Sequence, residues 1–111
     1  MLCRLCLVVI LALGLAAPAG AIDTAIENER LDAVLAAAPA DVAELVRRTR
    51  GCNHFAGEPD YDKERRDFLN KALTELKCDQ LDAAEVALRR KYAGSLAAQQ
   101  ALDVRNSVVA P

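Results

Sequence analysis

Residues 52–78 read CNHFAGEPDYDKERRDFLNKALTELKC, a stretch that begins and ends with cysteine. It contains two of the four cysteines, the single histidine and three of the four aromatic residues of the chain. Its polar first half, with Gly57 and Pro59, is typical of a loop, and its second half has the apolar spacing of a helix. We interpret it as a loop and an amphipathic helix, closed by a disulfide between Cys52 and Cys78.

The N-terminus has the pattern of a secretory signal peptide. Arg4 precedes an apolar run at residues 5–17, and a proline and three small residues follow at 18–21. Because the run is shorter than the ~20 residues that span a bilayer, no membrane anchor is expected after cleavage. The pattern predicts a protein of the periplasm or the extracellular space.

These signals also predict the domain organisation. We expect residues 1–21 to be cleaved, residues 22–106 to form a single helical domain, and residues 107–111 to be a frayed tail. A chain of this size buries a modest fraction of its surface, and the absence of tryptophan makes its core leaner still. A disulfide is the usual supplement in an exported domain of this kind.

Export also decides how the cysteines are interpreted. Cys3 and Cys6 lie within the predicted signal peptide and would be lost with it. Cys52 and Cys78 would then form the one possible intramolecular pair, in a compartment where disulfides persist. Closing a loop of about 26 residues stabilises the fold by roughly 3.5 kcal/mol in the chain-entropy model. A cysteine nucleophile paired with His54 would need a reduced thiol there, so we predict a structural disulfide.

The charge balance argues against a nucleic-acid partner. The formal net charge of the chain is −2, and loss of Arg4 makes it one unit more negative. A protein that binds nucleic acid normally has a concentrated basic surface, which this sequence does not provide. The expected partners are therefore an envelope protein or a cell-wall component, and the sequence leaves the oligomeric state open.

Capping patterns and helix breakers predict an all-α bundle of four to five short helices, with no alternation typical of strands. The first would start near the Thr24–Glu27 capping box and end before Pro39. The second would run from there to Gly51. A fourth would start at a capping box formed by Asp82 and Glu85 and end before Gly94, and Ser95 would cap the last.

The third helix has the clearest periodicity. Asp60 or Asp62 would cap its start, and it would extend to Lys77. Seven residues on one face follow helical spacing, namely Tyr61, Arg65, Phe68, Leu69, Ala72, Leu73 and Leu76. The pattern predicts an amphipathic helix, and the disulfide at Cys78 would tie its end to the end of the second helix.

The chemistry of the chain is concentrated at residues 53–62. His54, Glu58, Asp60 and Asp62 offer an imidazole and three carboxylates, which are ligand types for zinc or another divalent ion. Gly57 and Pro59 make a helix improbable at this point, so a shared face for His54 and Glu58 is not expected. The alternative is that these groups bond within the loop and cap the third helix, and on this reading the protein binds no metal or other cofactor.

An enzymatic role is not expected. His54 and the nearby carboxylates offer a general acid–base pair, but no nucleophile accompanies them. The only serines, Ser95 and Ser107, lack a nucleophile-elbow context, and the chain has no glycine-rich phosphate loop.

Two motifs carry resemblances to known families. The run C-N-H-F-A-G-E, with the later Y-D and second cysteine, resembles small exported bacterial proteins of unknown function that have a C-N-H-F-x-G-E motif. This resemblance implies an envelope location and no particular activity. Residues 78–92 are similar to part of the LprI-like lysozyme-inhibitor family, whose pattern matches Glu85, Leu88 and Tyr92. That resemblance implies inhibition of a cell-wall hydrolase, although the tryptophan of that family is missing here.

We therefore expect a non-enzymatic exported module that binds a protein or cell-envelope component through the loop at residues 53–62. Metal binding and inhibition of a lysozyme-type hydrolase are the alternatives. Aromatic side chains are frequent anchors of interfaces, although Phe55 can equally fill the small core. The candidate contact residues are Asn53, His54, Phe55, Glu58 and Tyr61.

Free-thiol titration of the exported protein is expected to find no reactive cysteine, because Cys3 and Cys6 would have been removed and Cys52 would be bonded to Cys78. The titration is best made under denaturing conditions, so that burial does not hide a thiol. A free thiol on Cys52 or Cys78 would contradict the disulfide and favour the nucleophile instead.

Overall fold

The computed structural model describes residues 19–107, with the side chains of residues 27–107. The predicted signal peptide therefore lies mostly outside the described residues, as does most of the predicted tail. The helices are α1 (Ala19–Ala37), α2 (Ala40–Ala56), α3 (Lys63–Glu75), α4 (Leu81–Lys91) and α5 (Leu96–Arg105), and a 3₁₀ turn at Cys78–Gln80 links α3 to α4.

The predicted all-α bundle is confirmed. No residue between 19 and 107 belongs to a strand. The disulfide is also confirmed, since Cys52 in α2 is bonded to Cys78 at the start of the 3₁₀ turn, with 5.7 Å between their Cα atoms.

α2 is the central helix, and it contacts every other helix of the described chain. Val42, Leu45 and Val46 on its first half are almost fully buried. The main core cluster joins Val42 and Leu45 to Leu81 of α4 and to Ala98, Ala101 and Leu102 of α5. A smaller cluster packs Val46 against Leu35 of α1. α1, the first half of α2, α4 and α5 thus share a continuous apolar interior, which we call the bundle.

The α3 arm, which we define as residues 57–77, reaches this interior at its end, where Leu76 packs against the main core cluster. α3 contacts α2 and the 3₁₀ turn but no other helix. Of the seven residues of the predicted stripe, Leu69 is buried and four are half-buried, whereas Phe68 is 51% exposed and Tyr61 is 76% exposed. The stripe is only partly covered, because α2 is the one neighbouring helix of α3.

Two predicted helix boundaries were wrong at α1 and α2. α1 begins at Ala19, so Thr24 lies inside it rather than at its start. α2 continues through Gly51 to Ala56. Gly51 lies inside α2 and packs closely against Leu76, because a Cβ atom on Gly51 would lie 3.1 Å from Leu76 Cδ1 and that side chain would have to shift by a few tenths of an ångström.

The caps of the later helices were predicted with mixed success. Asp62 caps α3, since its Oδ1 accepts from Arg65 N at 2.7 Å. Ser95 caps α5, since its Oγ accepts from Ala98 N at 3.2 Å. The predicted capping box of α4 was wrong, because Gln80 holds the N-cap position and makes no side-chain cap bond.

Asp82 and Glu85, which were predicted to form the capping box of α4, bind a buried arginine at the end of α5 instead. Arg105 donates from Nε to Thr49 Oγ1 on α2 (3.0 Å), from Nη2 to Asp82 Oδ1 (2.9 Å) and from Nη1 to Glu85 Oε2. Glu85 is itself largely buried, and its other oxygen accepts from Arg89. One guanidinium therefore ties α5 to both α2 and α4.

A second polar contact joins the start of α2 to the end of α4. Asp41 accepts from Lys91 Nζ (2.7 Å) and from the Tyr92 hydroxyl (2.8 Å). The hydrogen bond from Lys91 is the main reason why the pKa of Asp41 lies below its ordinary value of 3.8. The same bond raises the pKa of Lys91 above its ordinary value of 10.5.

Replacement of Glu85 by alanine is expected to cost about 3 kcal/mol in free energy of unfolding, because Arg105 would remain buried with only an exposed carboxylate beside it. Arg105→Met should cost less, about 1 kcal/mol, since Glu85 keeps Arg89 as a partner. Asp82→Ala should cost about 0.5 kcal/mol or less, because that side chain is exposed. Urea unfolding measures all three, and an equal loss in the Glu85 and Asp82 variants would contradict this order.

Replacement of Asp41 by asparagine is expected to lower stability near neutral pH, by an amount that shrinks in acid. Because folding lowers the pKa of Asp41, the carboxylate stabilises the fold fully above the ordinary value of 3.8, and the effect is lost as pH falls through the lowered value. Urea unfolding between about pH 7 and pH 3 measures the difference. A constant difference for Asp41→Asn would contradict the linkage.

Candidate functional site

The predicted loop at residues 53–62 divides into two parts. Residues 53–56 form the last turn of α2, and the loop itself covers residues 57–62. Gly57 ends the helix in a right-handed conformation (φ −85°), and its amide donates to the carbonyls of Asn53 and His54, both 3.2 Å away. The prediction of a loop beginning at Asn53 was wrong because the helical hydrogen bonds of α2 continue past Gly51.

This extra turn brings His54 and Glu58 together. The contact was not predicted from the sequence. His54 Nε2 lies 3.4 Å from Glu58 Oε1. The other oxygen of Glu58 accepts from Arg65 Nη2, so the carboxylate contacts one residue of α2 and one residue of α3. Glu58 acts here as a structural link between α2 and α3.

The four candidate metal ligands do not converge. Asp60 pairs with Arg66 at 3.3 Å, and Asp62 caps α3. His54 and Glu58 are in contact, but the arginine bond occupies one oxygen of Glu58. Between residues 27 and 107, no group of three or more His, Cys, Asp or Glu side chains is placed to share a metal ion.

The aromatic residues form the most distinctive surface of the arm. Phe55 of α2 meets Phe68 of α3 edge to face, with ring centroids 6.1 Å apart. The His54 ring packs against the other side of Phe55, at 5.1 Å. The Arg65 guanidinium lies over the Phe68 ring, with 5.2 Å between Cζ and the centroid. We call Phe55, Tyr61 and Phe68 the aromatic surface.

Arg65 connects the two ends of this surface. Besides covering Phe68, it lines a shallow open depression of about 200 Å³ together with Tyr61, Asp62 and Glu64. Its position is fixed by the salt bridge to Glu58. Glu64 and Tyr61 are both exposed, so the lining of the depression offers an aromatic ring and charged groups of both signs.

Phe55 and Tyr61 were predicted as contact residues, whereas Phe68 and Arg65 were not. Both missed residues belong to the helical stripe of α3, and periodicity assigns such residues to the core. Phe55 is half-buried, so its exposure is intermediate between that of a core residue and that of an exposed interface residue. The sparsity of aromatic residues was the available signal, since three of four lie within fourteen positions of one another.

The residues that match the lysozyme-inhibitor pattern face the bundle. Glu85 binds Arg89 and Arg105, and the Tyr92 hydroxyl donates to Asp41. Leu88 packs against the main core cluster. Their positions are explained by contacts within this fold.

Comparison with protein-family models, with curated proteins and with solved structures found no match to this chain. A search of the described helices for a membrane span found none of sufficient length and apolarity.

Proposed function

We propose that this protein is an exported binding module and that the aromatic surface is where it contacts a protein partner. The observation that carries the proposal is the exposure of Phe68 (51%) and Tyr61 (76%) on one small arm. Aromatic side chains are enriched among the residues that dominate binding energy at protein interfaces. Such rings next to an arginine are the composition expected of an interface centre.

The arrangement of the rings also favours binding. Phe55 and Phe68 support each other edge to face, and Arg65 is held by Glu58 while it covers Phe68. Side chains that already have their bound conformation lose less entropy on association. A partner would therefore meet a largely preorganised surface, with Tyr61 as a more mobile anchor at its edge.

The predicted export of the protein favours a partner in the cell envelope or outside the cell. The signal-peptide pattern at residues 1–21 and the Cys52–Cys78 bond are both expected of an exported domain. The charged and aromatic side chains around the α3 arm bond to one another, and these contacts hold the shape of the arm. We therefore propose a binding function.

Substitution of Tyr61 or Phe68 by alanine is expected to weaken partner binding about tenfold or more, because each removes an exposed ring of the aromatic surface. A tagged exported protein first recovers its partner from envelope extract, and calorimetry with the purified partner then gives the dissociation constant for each variant. Both substitutions should leave the melting temperature nearly unchanged, since neither residue is in the core.

The chain offers matched controls at exposed apolar residues outside the arm. Leu96→Ala is the control for Tyr61→Ala, with 74% exposure against 76%. Val86→Ala is the control for Phe68→Ala, with 52% exposure against 51%. Both controls should bind as the unmodified protein does. Weakened binding in the controls, with normal binding by the arm variants, would place the contact on α4 and α5 and contradict the proposal.

A further inference from the structure

The α3 arm has fewer helix neighbours than any other helix of the described structure. α3 and α4 each bury one residue, Leu69 and Leu81, but α4 packs on both α2 and α5, whereas α3 packs on α2 as its one neighbouring helix. A helix of 13 residues is marginal in water on its own, so α3 depends on packing for its stability. That packing comes from α2 and the 3₁₀ turn alone.

Besides Leu69, the arm is held by Leu76, which packs against the main core cluster, and by partly exposed contacts at its two ends. At one end, Phe55 meets Phe68 and Glu58 pairs with Arg65. At the other end, Arg48 Nε donates to the Leu76 carbonyl at 3.0 Å. Partly exposed ion pairs and edge contacts contribute little each, so two apolar side chains and a few weak interactions close the arm.

The backbone at the end of α3 is strained. Lys77 adopts the left-handed conformation (φ 53°, ψ 49°), and it is the only residue other than glycine with positive φ in the described chain. This conformation is unfavourable for a residue with a Cβ atom. The strain lies at the junction of α3 and the 3₁₀ turn, and opening of the arm at that junction would release it.

The base of the arm, in contrast, is fixed. Cys52 and Leu81 flank the arm and are both buried in the main core cluster. The disulfide from Cys52 to Cys78 holds the two ends of the arm together whether α3 is packed or not. Unfolding of the arm therefore need not spread into the bundle, which is the condition for a local opening unit.

We propose that α3 opens by local unfolding from a bundle that stays folded, and that this opening regulates binding at the aromatic surface. Phe55 belongs to α2 and Phe68 to α3, so the two rings lie side by side only in the closed arm. A partner on the aromatic surface holds the arm closed, and opening removes its binding site. The regulatory half of the proposal rests on the proposed function, whereas the opening itself rests on packing alone.

Amide hydrogen exchange of the disulfide-bonded exported protein tests the opening without any partner. Amides of α3 at residues 67–75 are expected to exchange at least about tenfold faster than those of α2 at residues 45–50, which start from the same hydrogen-bonded state. Equal protection of the two helices would overturn the proposal, because α3 would then unfold only with the bundle.

Two substitutions move the opening in opposite directions. Leu69→Ala removes the one buried side chain of α3 and should speed exchange in α3 about tenfold, with residues 45–50 unchanged. Lys77→Gly removes the left-handed strain and should slow exchange in α3 about fivefold. Asn106→Gly is the control, because Asn106 also ends a helix but at φ −75°. Equal acceleration of both helices, or global unfolding of Leu69→Ala, would overturn the proposal.

Addition of the purified partner separates the two halves of the proposal. Slower exchange in α3 on addition of partner supports closure by binding. Unchanged exchange in α3, with tight binding measured in parallel, would overturn both the regulatory half and the proposed contact surface. The free-protein comparison of α3 with α2 would still decide whether the arm opens.

Discussion

The burial of one face of α2 is the interaction on which the bundle depends. Val42, Leu45 and Val46 lose nearly all contact with water, and they do so against residues of three other helices. Full burial of each such side chain stabilises the fold by about 1.5–3 kcal/mol. Removal of α2 would leave α1, α4 and α5 with little apolar surface to share, since the cores of α4 and α5 are short and rich in alanine.

Polar contacts set the positions of the helices around α2. The buried guanidinium of Arg105 reaches α2 and α4 at once, and this fixes where α5 ends. At the opposite end of α4, Asp41 of α2 accepts a hydrogen bond from Lys91 and so joins α2 to α4. Apolar packing by small residues is tolerant of sliding, whereas a hydrogen-bonded guanidinium is directional. These contacts are therefore what gives a lean core a defined geometry.

Local patterns predicted the helices well and their long-range contacts poorly. Asp62 and Ser95 cap helices as expected, because a cap depends on residues only a few positions away. Asp82 and Glu85 have the same local pattern, but their partner Arg105 lies twenty or more positions along the chain. Gly51 was taken for a helix end because its real neighbour, Leu76, is equally distant in sequence.

The candidate site shows the same limit. The concentration of aromatic and charged residues in one stretch was visible in the sequence, and the structure places most of them near one another on α3 and the end of α2. Helical periodicity, however, only says which residues share a face. Whether that face is covered depends on how many helices surround it, and α3 has a single helix beside it. Phe68 belongs to the helical stripe of α3 and is nevertheless 51% exposed.

The position of the disulfide has a consequence for proteolysis. Cys52 and Cys78 enclose the whole α3 arm, so a protease that cuts any bond between them leaves two polypeptides that remain covalently joined. Such a nicked molecule would migrate as a single species until it is reduced, and then as two fragments. Its bundle would keep both halves of its core, because Cys52 and the residues before it stay bonded to Cys78 and the residues after it.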